Sequence, residues 1–91
     1  MKKRDRMEIV NDMLQAIVDK GGKIKPTHLL YKGNLSHSMM LEYVSDLMNK
    51  GFLAEQEAGR GKMYLITDHG REFLMRYKQI KEFSDGFGLE G

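Results

Sequence analysis

The apolar positions of this chain change period several times, and each change marks an element. Between about Asp5 and Lys20, the residues Val10, Met13, Leu14 and Ile17 recur at three- and four-residue spacing, the period of a helix with one face turned inward. Met7 and Val18 flank that stripe on one side, Ile9 and Ala16 on the other. The arc is wider than a helix lying on a surface requires. This first helix is therefore expected either to be buried on two sides or to meet another subunit. Gly21 and Gly22 stop it, as glycine just past a helix end does. Lys23-Ile24-Lys25 has length only for a small strand. Pro26 suits the first turn of a second, short helix, PTHLLYK, because the N–H that proline lacks has no partner there anyway.

That helix ends at Gly33-Asn34, and Ser36 is the next N-cap candidate because its hydroxyl can accept from the first free backbone N–H groups. The helix it opens, residues 36–50, runs to about Lys50 before Gly51. A wheel at ~100° per residue puts Met40, Tyr43, Val44, Leu47 and Met48 on one apolar side and Ser38, Glu42, Ser45 and Asn49 opposite. Met39 and Leu41 sit on the shoulders, and His37 lies in the first turn. A short helix, a tight turn and a longer helix have helix-turn-helix spacing. Phe52 to Glu57 and Lys62 to Thr67 then read as strands joined through Ala-Gly-Arg-Gly, a β-hairpin. Thr67 or Asp68 caps a last helix with Phe73, Tyr77 and Ile80 as its stripe and Phe83 beside it. After Asp85 the run GFGLEG has no periodicity. One domain over residues 1–85 and a flexible tail over 86–91 are expected. The order is helix, short strand, helix-turn-helix, hairpin, helix. This is an α+β fold of the winged helix-turn-helix type, with the hairpin (residues 53–66) as the wing.

Two stretches strengthen that reading. Lys50-Gly51-Phe52-Leu53 and Tyr64-Leu65-Ile66-Thr67-Asp68-His69-Gly70-Arg71-Glu72-Phe73-Leu74 resemble the elements that lead into and out of the wing in archaeal winged-helix proteins of the MarR-like superfamily. YKGNLSHSMMLEYVSDL is similar to the helix-turn-helix of one archaeal subgroup, which includes small dimeric chromosomal proteins whose last helices pair as an antiparallel coiled coil. The resemblance covers roughly residues 5 to 83 and implies DNA binding by a homodimer. In the coiled-coil members the last helix is long. Here it ends near residue 85 and offers barely two heptads, fewer than the ~3–4 that support a coiled coil. A compact dimer is expected instead, with the first and last helices sharing the seam.

Composition narrows the function further. Ninety-one residues make one small domain with a thin core, which favours burial against a partner. The chain contains no cysteine, which excludes disulfides and thiolate metal sites. No run reaches the ~18 apolar residues of a membrane span, and MKKRDRMEIV turns amphipathic rather than into a secretory core. A cytoplasmic protein without membrane contact is expected. The net charge is +2, from 15 Lys+Arg against 13 Asp+Glu, but cations cluster in KKRDR, KGGKIK and GRGK while acids gather in AEQE. His28, His37 and His69 fall in different elements, and none stands at metal-ligand spacing on one helix. GRGK lacks the frame of a phosphate-binding P-loop. Neither an enzyme nor a cofactor or metal site is expected.

Double-stranded DNA is the expected partner. In helix-turn-helix docking, the N-terminal half of the second helix meets base edges, which selects His37, Ser38, Met39, Leu41 and Glu42. Serine donates or accepts, glutamate accepts from a cytosine amino group, and methionine or leucine covers a thymine methyl. This helix has no lysine or arginine before Lys50. Phosphate contacts, which set affinity and register, must then come from Lys32, Arg60 and Lys62. Lys2, Lys3, Arg4 and Arg6 form either a basic arm or a solvated terminus. The role that follows is a transcriptional regulator. The alternatives are an archaeal chromosomal DNA-binding protein and a winged helix used for protein docking, since the fold serves several tasks. RNA binding is disfavoured by the lack of exposed stacking aromatics.

Overall fold

The computed structural model describes residues 4–88. Four helices and three strands follow the expected order: α1 (Arg6–Asp19), β1 (Lys23–Ile24), α2 (Pro26–Lys32), α3 (His37–Asn49), β2 (Leu53–Ala58), β3 (Gly61–Ile66) and α4 (Asp68–Gly86). The sheet is antiparallel with order β1-β3-β2.

Local chemistry sets each boundary. Asp5 and Glu8 form a reciprocal capping box at the start of α1, which satisfies two otherwise free N–H groups. Ser36 Oγ accepts from the Met39 N–H at the start of α3, and Thr67 Oγ1 accepts from the Gly70 N–H at the start of α4. Thr67 also donates to the Gly51 carbonyl at 2.6 Å, so one hydroxyl joins the end of α3 to the beginning of α4. The turn between α2 and α3 takes its left-handed residue at Asn34, φ +53°, a conformation asparagine tolerates better than most residues. Gly33 is needed there for a different reason: a Cβ would lie 3.0 Å from the Leu29 carbonyl and 3.1 Å from the Leu35 side chain.

The hairpin is tighter than Ala-Gly-Arg-Gly implied. Ala58 pairs with Gly61, so the connection is only Gly59-Arg60, with Gly59 at φ +60°. Glycine in that first central position is what a type II′ hairpin turn demands. Phe52 is not a strand residue. Its carbonyl accepts from the Thr67 N–H, and its ring lies 4.7 Å from His69 and 5.4 Å from Phe73. Gly70 is where α4 crosses this carbonyl, and any side chain there would run into the Phe52 oxygen.

The core resolves the question posed by α1. Ile9, Val10, Met13, Leu14, Ala16 and Ile17 are all buried, against α2, β1, β3 and α4. Both flanks of the arc are therefore used inside the chain, apart from Met7, which stays exposed. Met40, Tyr43, Val44 and Leu47 bring α3 onto the same core, as its wheel predicts, together with Ile24, Leu29, Leu35, Leu53, Tyr64 and Ile66. Several exposed large apolar residues lie on α4, Met75, Ile80 and Phe83, with Phe87 just past its end; Met7, Tyr31, Met39 and Leu41 are the others among the described residues.

Candidate nucleic-acid interface

Burying that side of α3 leaves the opposite one outward. His37, Ser38, Met39, Leu41 and Glu42 are exposed, and their side chains form no hydrogen bond or ion pair among the described residues. The two acids of the helix have different roles. Asp46 accepts from Lys50 Nζ at 2.6 and 2.7 Å and from an Arg6 guanidinium nitrogen at 2.9 Å. These bonds, Lys50 first and Arg6 second, hold the Asp46 carboxyl below its ordinary range. Glu42 has no such bonds and remains open to an outside donor.

The N-terminal arginines are occupied. Arg4 pairs with Asp12 at 2.8 Å and donates to the carbonyls of Gly33 and Asn34 at 2.9 and 3.2 Å. It thereby satisfies carbonyls at the end of α2 that the helix leaves open. Arg6 lies 4.7 Å over the Tyr43 ring as well as bonding Asp46. Neither acts as a free basic arm. Lys2 and Lys3 lie outside the described residues.

The wing supplies the other cations. Arg60 stands at its tip, exposed, with no hydrogen bond or ion pair among the described residues. Lys62 is exposed but engaged: its Nζ lies 3.4 Å from a Glu55 oxygen and 5.8 Å from the centre of the Tyr64 ring. The nearby Tyr64 and then Glu55 raise the Lys62 pKa above the usual lysine value. Lys32, in the last turn of α2, is exposed.

Two adjoining hollows connect these pieces. One, of about 480 Å3, places Arg60 and Lys62 with Lys25 and Thr27. The other, of about 270 Å3, joins His37 and Met40 of α3 to Tyr31 of α2. Both share Pro26 and Thr27. The fold thus brings His37, Arg60 and Lys62 around the start of α2. Lys32, Ser38, Met39, Leu41 and Glu42 are on the surface but line neither hollow. Sequence reasoning missed Lys25, Thr27 and Tyr31, the last 75% exposed. KGGKIK signals the first of these only as charge. Among the described residues, no group of histidines and acids is placed to hold a metal ion, and no helix is long and apolar enough to cross a membrane.

A helix with an outward polar face, a tight turn before it and a hairpin beside it define a winged helix-turn-helix domain. The sequence profile of that family, winged helix-turn-helix, matches residues 3–85, and the chain belongs to it. Among curated proteins no sequence matches. Among solved structures the fold is similar to that of Sso10a-2, a DNA-binding protein from Sulfolobus solfataricus, with a TM-score of 0.81 at 21% identity over 92% of this chain and 85% of that one. It is similar to a MarR-family transcriptional regulator from Rhodococcus, TM-score 0.76 at 18% identity, over 91% of this chain and 60% of the regulator. It also resembles TubR from Bacillus thuringiensis bound to 24 bp of tubC, TM-score 0.68 at 24% identity, over 78% and 80% of the two chains.

Proposed function

We propose that this protein is a DNA-binding transcriptional regulator that acts as a homodimer. The observation that carries the proposal is the outward face of α3. There the side chains of His37, Ser38, Met39, Leu41 and Glu42 form no hydrogen bond or ion pair among the described residues, and the face lies beside a wing whose tip arginine forms none either. In this reading α3 enters the major groove, where Ser38 and Glu42 read base edges and Met39 and Leu41 cover thymine methyls. Lys32 and Arg60 meet phosphates, and Lys62 stands beside Arg60 but paired with Glu55. The similar structures support it, being described as a DNA-binding protein, a transcriptional regulator and a protein bound to DNA. A cytoplasmic place goes with the same reading.

The dimer is assigned mainly to α4. Phe73, Ile80 and Phe87 recur at seven-residue spacing with Phe83 between the last two. Ile80, Phe83 and Phe87 are 60, 62 and 70% exposed. This stripe borders a groove of about 410 Å3 that also includes Met7 and Phe52. The seam thus takes Met7 from α1 and nearly everything else from α4, since the rest of the α1 arc is buried in its own chain. Light scattering is expected to report twice the mass of the chain, and Ile80→Glu with Phe83→Glu to halve it.

The test of the reading as a whole is selection of bound fragments from random DNA, followed by a salt titration on the winner. An enriched site with salt-dependent affinity supports the regulator. Salt-dependent binding without an enriched site indicates a chromosomal role. Absence of any salt-sensitive binding sinks the DNA reading and favours a docking module, for which exposed Met39 and Leu41 offer an apolar contact.

A further inference from the structure

The wing and the start of α2 face each other across the larger hollow described above. Three of its lining side chains are cations from separate parts of the chain: Lys25 from the β1–α2 junction, Arg60 and Lys62 from the wing. No acidic side chain lines it. Lys25 precedes α2 but forms no side-chain cap bond. Neither Lys25 nor Arg60 has a hydrogen bond or ion pair among the described residues. Thr27 adds an exposed hydroxyl. Nothing stands within 4 Å of where a Gly61 Cβ would be, so an approaching group meets no obstacle there. Like charges around one gap repel, and an anion seated between them lowers that repulsion. Lys62 differs in having an internal counter-ion, Glu55, with both side chains less than half exposed.

We propose that this cleft seats one phosphate of a DNA backbone, held by Lys25, Thr27 and Arg60, and that Glu55 withholds Lys62 from it. The inference rests on the DNA-binding reading and adds a second point of grip, across α2 from the helix that reads bases. Towards Lys62, the Glu55 carboxylate plays the part that the phosphate plays towards Lys25. Binding at Lys62 is then an exchange of one anion for another and gains little. Removing the Glu55 charge frees that cation, so Glu55 limits affinity.

The test is fluorescence anisotropy of the full chain on one duplex across a salt series, with thermal unfolding of every variant. Lys25→Ala is expected to lower affinity about three- to tenfold and to reduce the log–log salt slope by about one, the signature of one lost phosphate contact. Lys25→Arg keeps both values. Glu55→Gln is expected to raise affinity about two- to fivefold, the scale of an exposed ion pair. If Lys25→Ala changes neither affinity nor slope while Arg60→Ala still weakens binding, the seat is wrong and the DNA reading stands. If the wild type shows no salt-dependent binding, both fall. Affinity unchanged or lowered in Glu55→Gln overturns the withholding role. Inorganic phosphate alone is the probe for a free-anion site. Amide shifts at Thr27 and Arg60 with the duplex support a backbone seat, whereas shifts with phosphate but none with the duplex overturn it.

Discussion

Two basic clusters look alike in the sequence, KKRDR at the start and GRGK in the wing, yet folding treats them in opposite ways. Arg4 is spent on Asp12 and on two carbonyls of the α2–α3 turn. Arg6 is spent on Asp46 and the Tyr43 ring. Together they tie the front of α1 to the turn and to the second helix of the helix-turn-helix. Arg60, by contrast, stands on a two-residue turn and forms no hydrogen bond or ion pair among the described residues. A cation is available to an outside polyanion only where the fold offers it nothing better, and that depends on residues far away in the chain. The acceptors of Arg4 and Arg6 lie up to 40 positions away, which local charge counting does not see.

The contrast is sharpest at Arg4. Arg4→Ala is expected to lower stability by about 1–2 kcal/mol, because it removes an ion pair and two charge-assisted bonds at partly exposed groups. The midpoint of thermal unfolding should fall by ~4–8 °C per kcal/mol for a domain this small. The salt slope of DNA binding should stay as in the wild type. An unaltered midpoint with a flatter slope would move Arg4 into the same class as the wing cations and undo the comparison.

Arg60→Ala should show the reverse pattern. Its side chain is exposed and forms no hydrogen bond or ion pair among the described residues, so unfolding is expected to stay within about 0.5 kcal/mol of wild type. Binding should weaken on every sequence alike, and the salt slope should drop by about one unit. Weakening confined to one sequence would mean that Arg60 reads bases in a groove rather than holding a phosphate. A salt series on a selected and a scrambled duplex separates the two outcomes.

What was legible beforehand follows the same division between near and far. Ser36, Thr67, Pro26 and Gly21 act on their immediate neighbours, and the helices they delimit lie where the pattern puts them, within a residue or so. The inward side of α3 is also a local property, and Met40, Tyr43, Val44 and Leu47 are buried as the wheel indicates. Contacts between distant segments were not legible. Phe52 reads as a strand residue because it is aromatic and follows a glycine, but its carbonyl and ring belong to the start of α4. Lys25 reads as one lysine in a basic run until the wing folds back opposite it. The wide apolar arc of α1 allowed burial on two sides or a second subunit. Only the positions of the sheet and α4 show that its flanks are filled from within.

The smallest expected effect tests the other arginine. Asp46 is bonded by Lys50 and then by Arg6, and both lower its pKa in the folded state. A depressed carboxylate stabilises the fold above the pKa it has when unfolded. That contribution fades as pH falls through the lower, folded value, below about pH 4. Because the pair is exposed to solvent, acid unfolding will register it only faintly, and the carboxyl itself is the better reporter. A carbon-13 NMR titration of Asp46 is expected to give a midpoint below the ordinary aspartate range. Lys50→Ala should raise it most and Arg6→Ala less, in the order of the two causes. The Arg6 variant decides the matter. If the Asp46 midpoint does not move without Arg6, the bond at 2.9 Å is not held in solution. Arg6 would then be free to meet an outside anion, and the N-terminal cluster would no longer be spent on the fold as a unit.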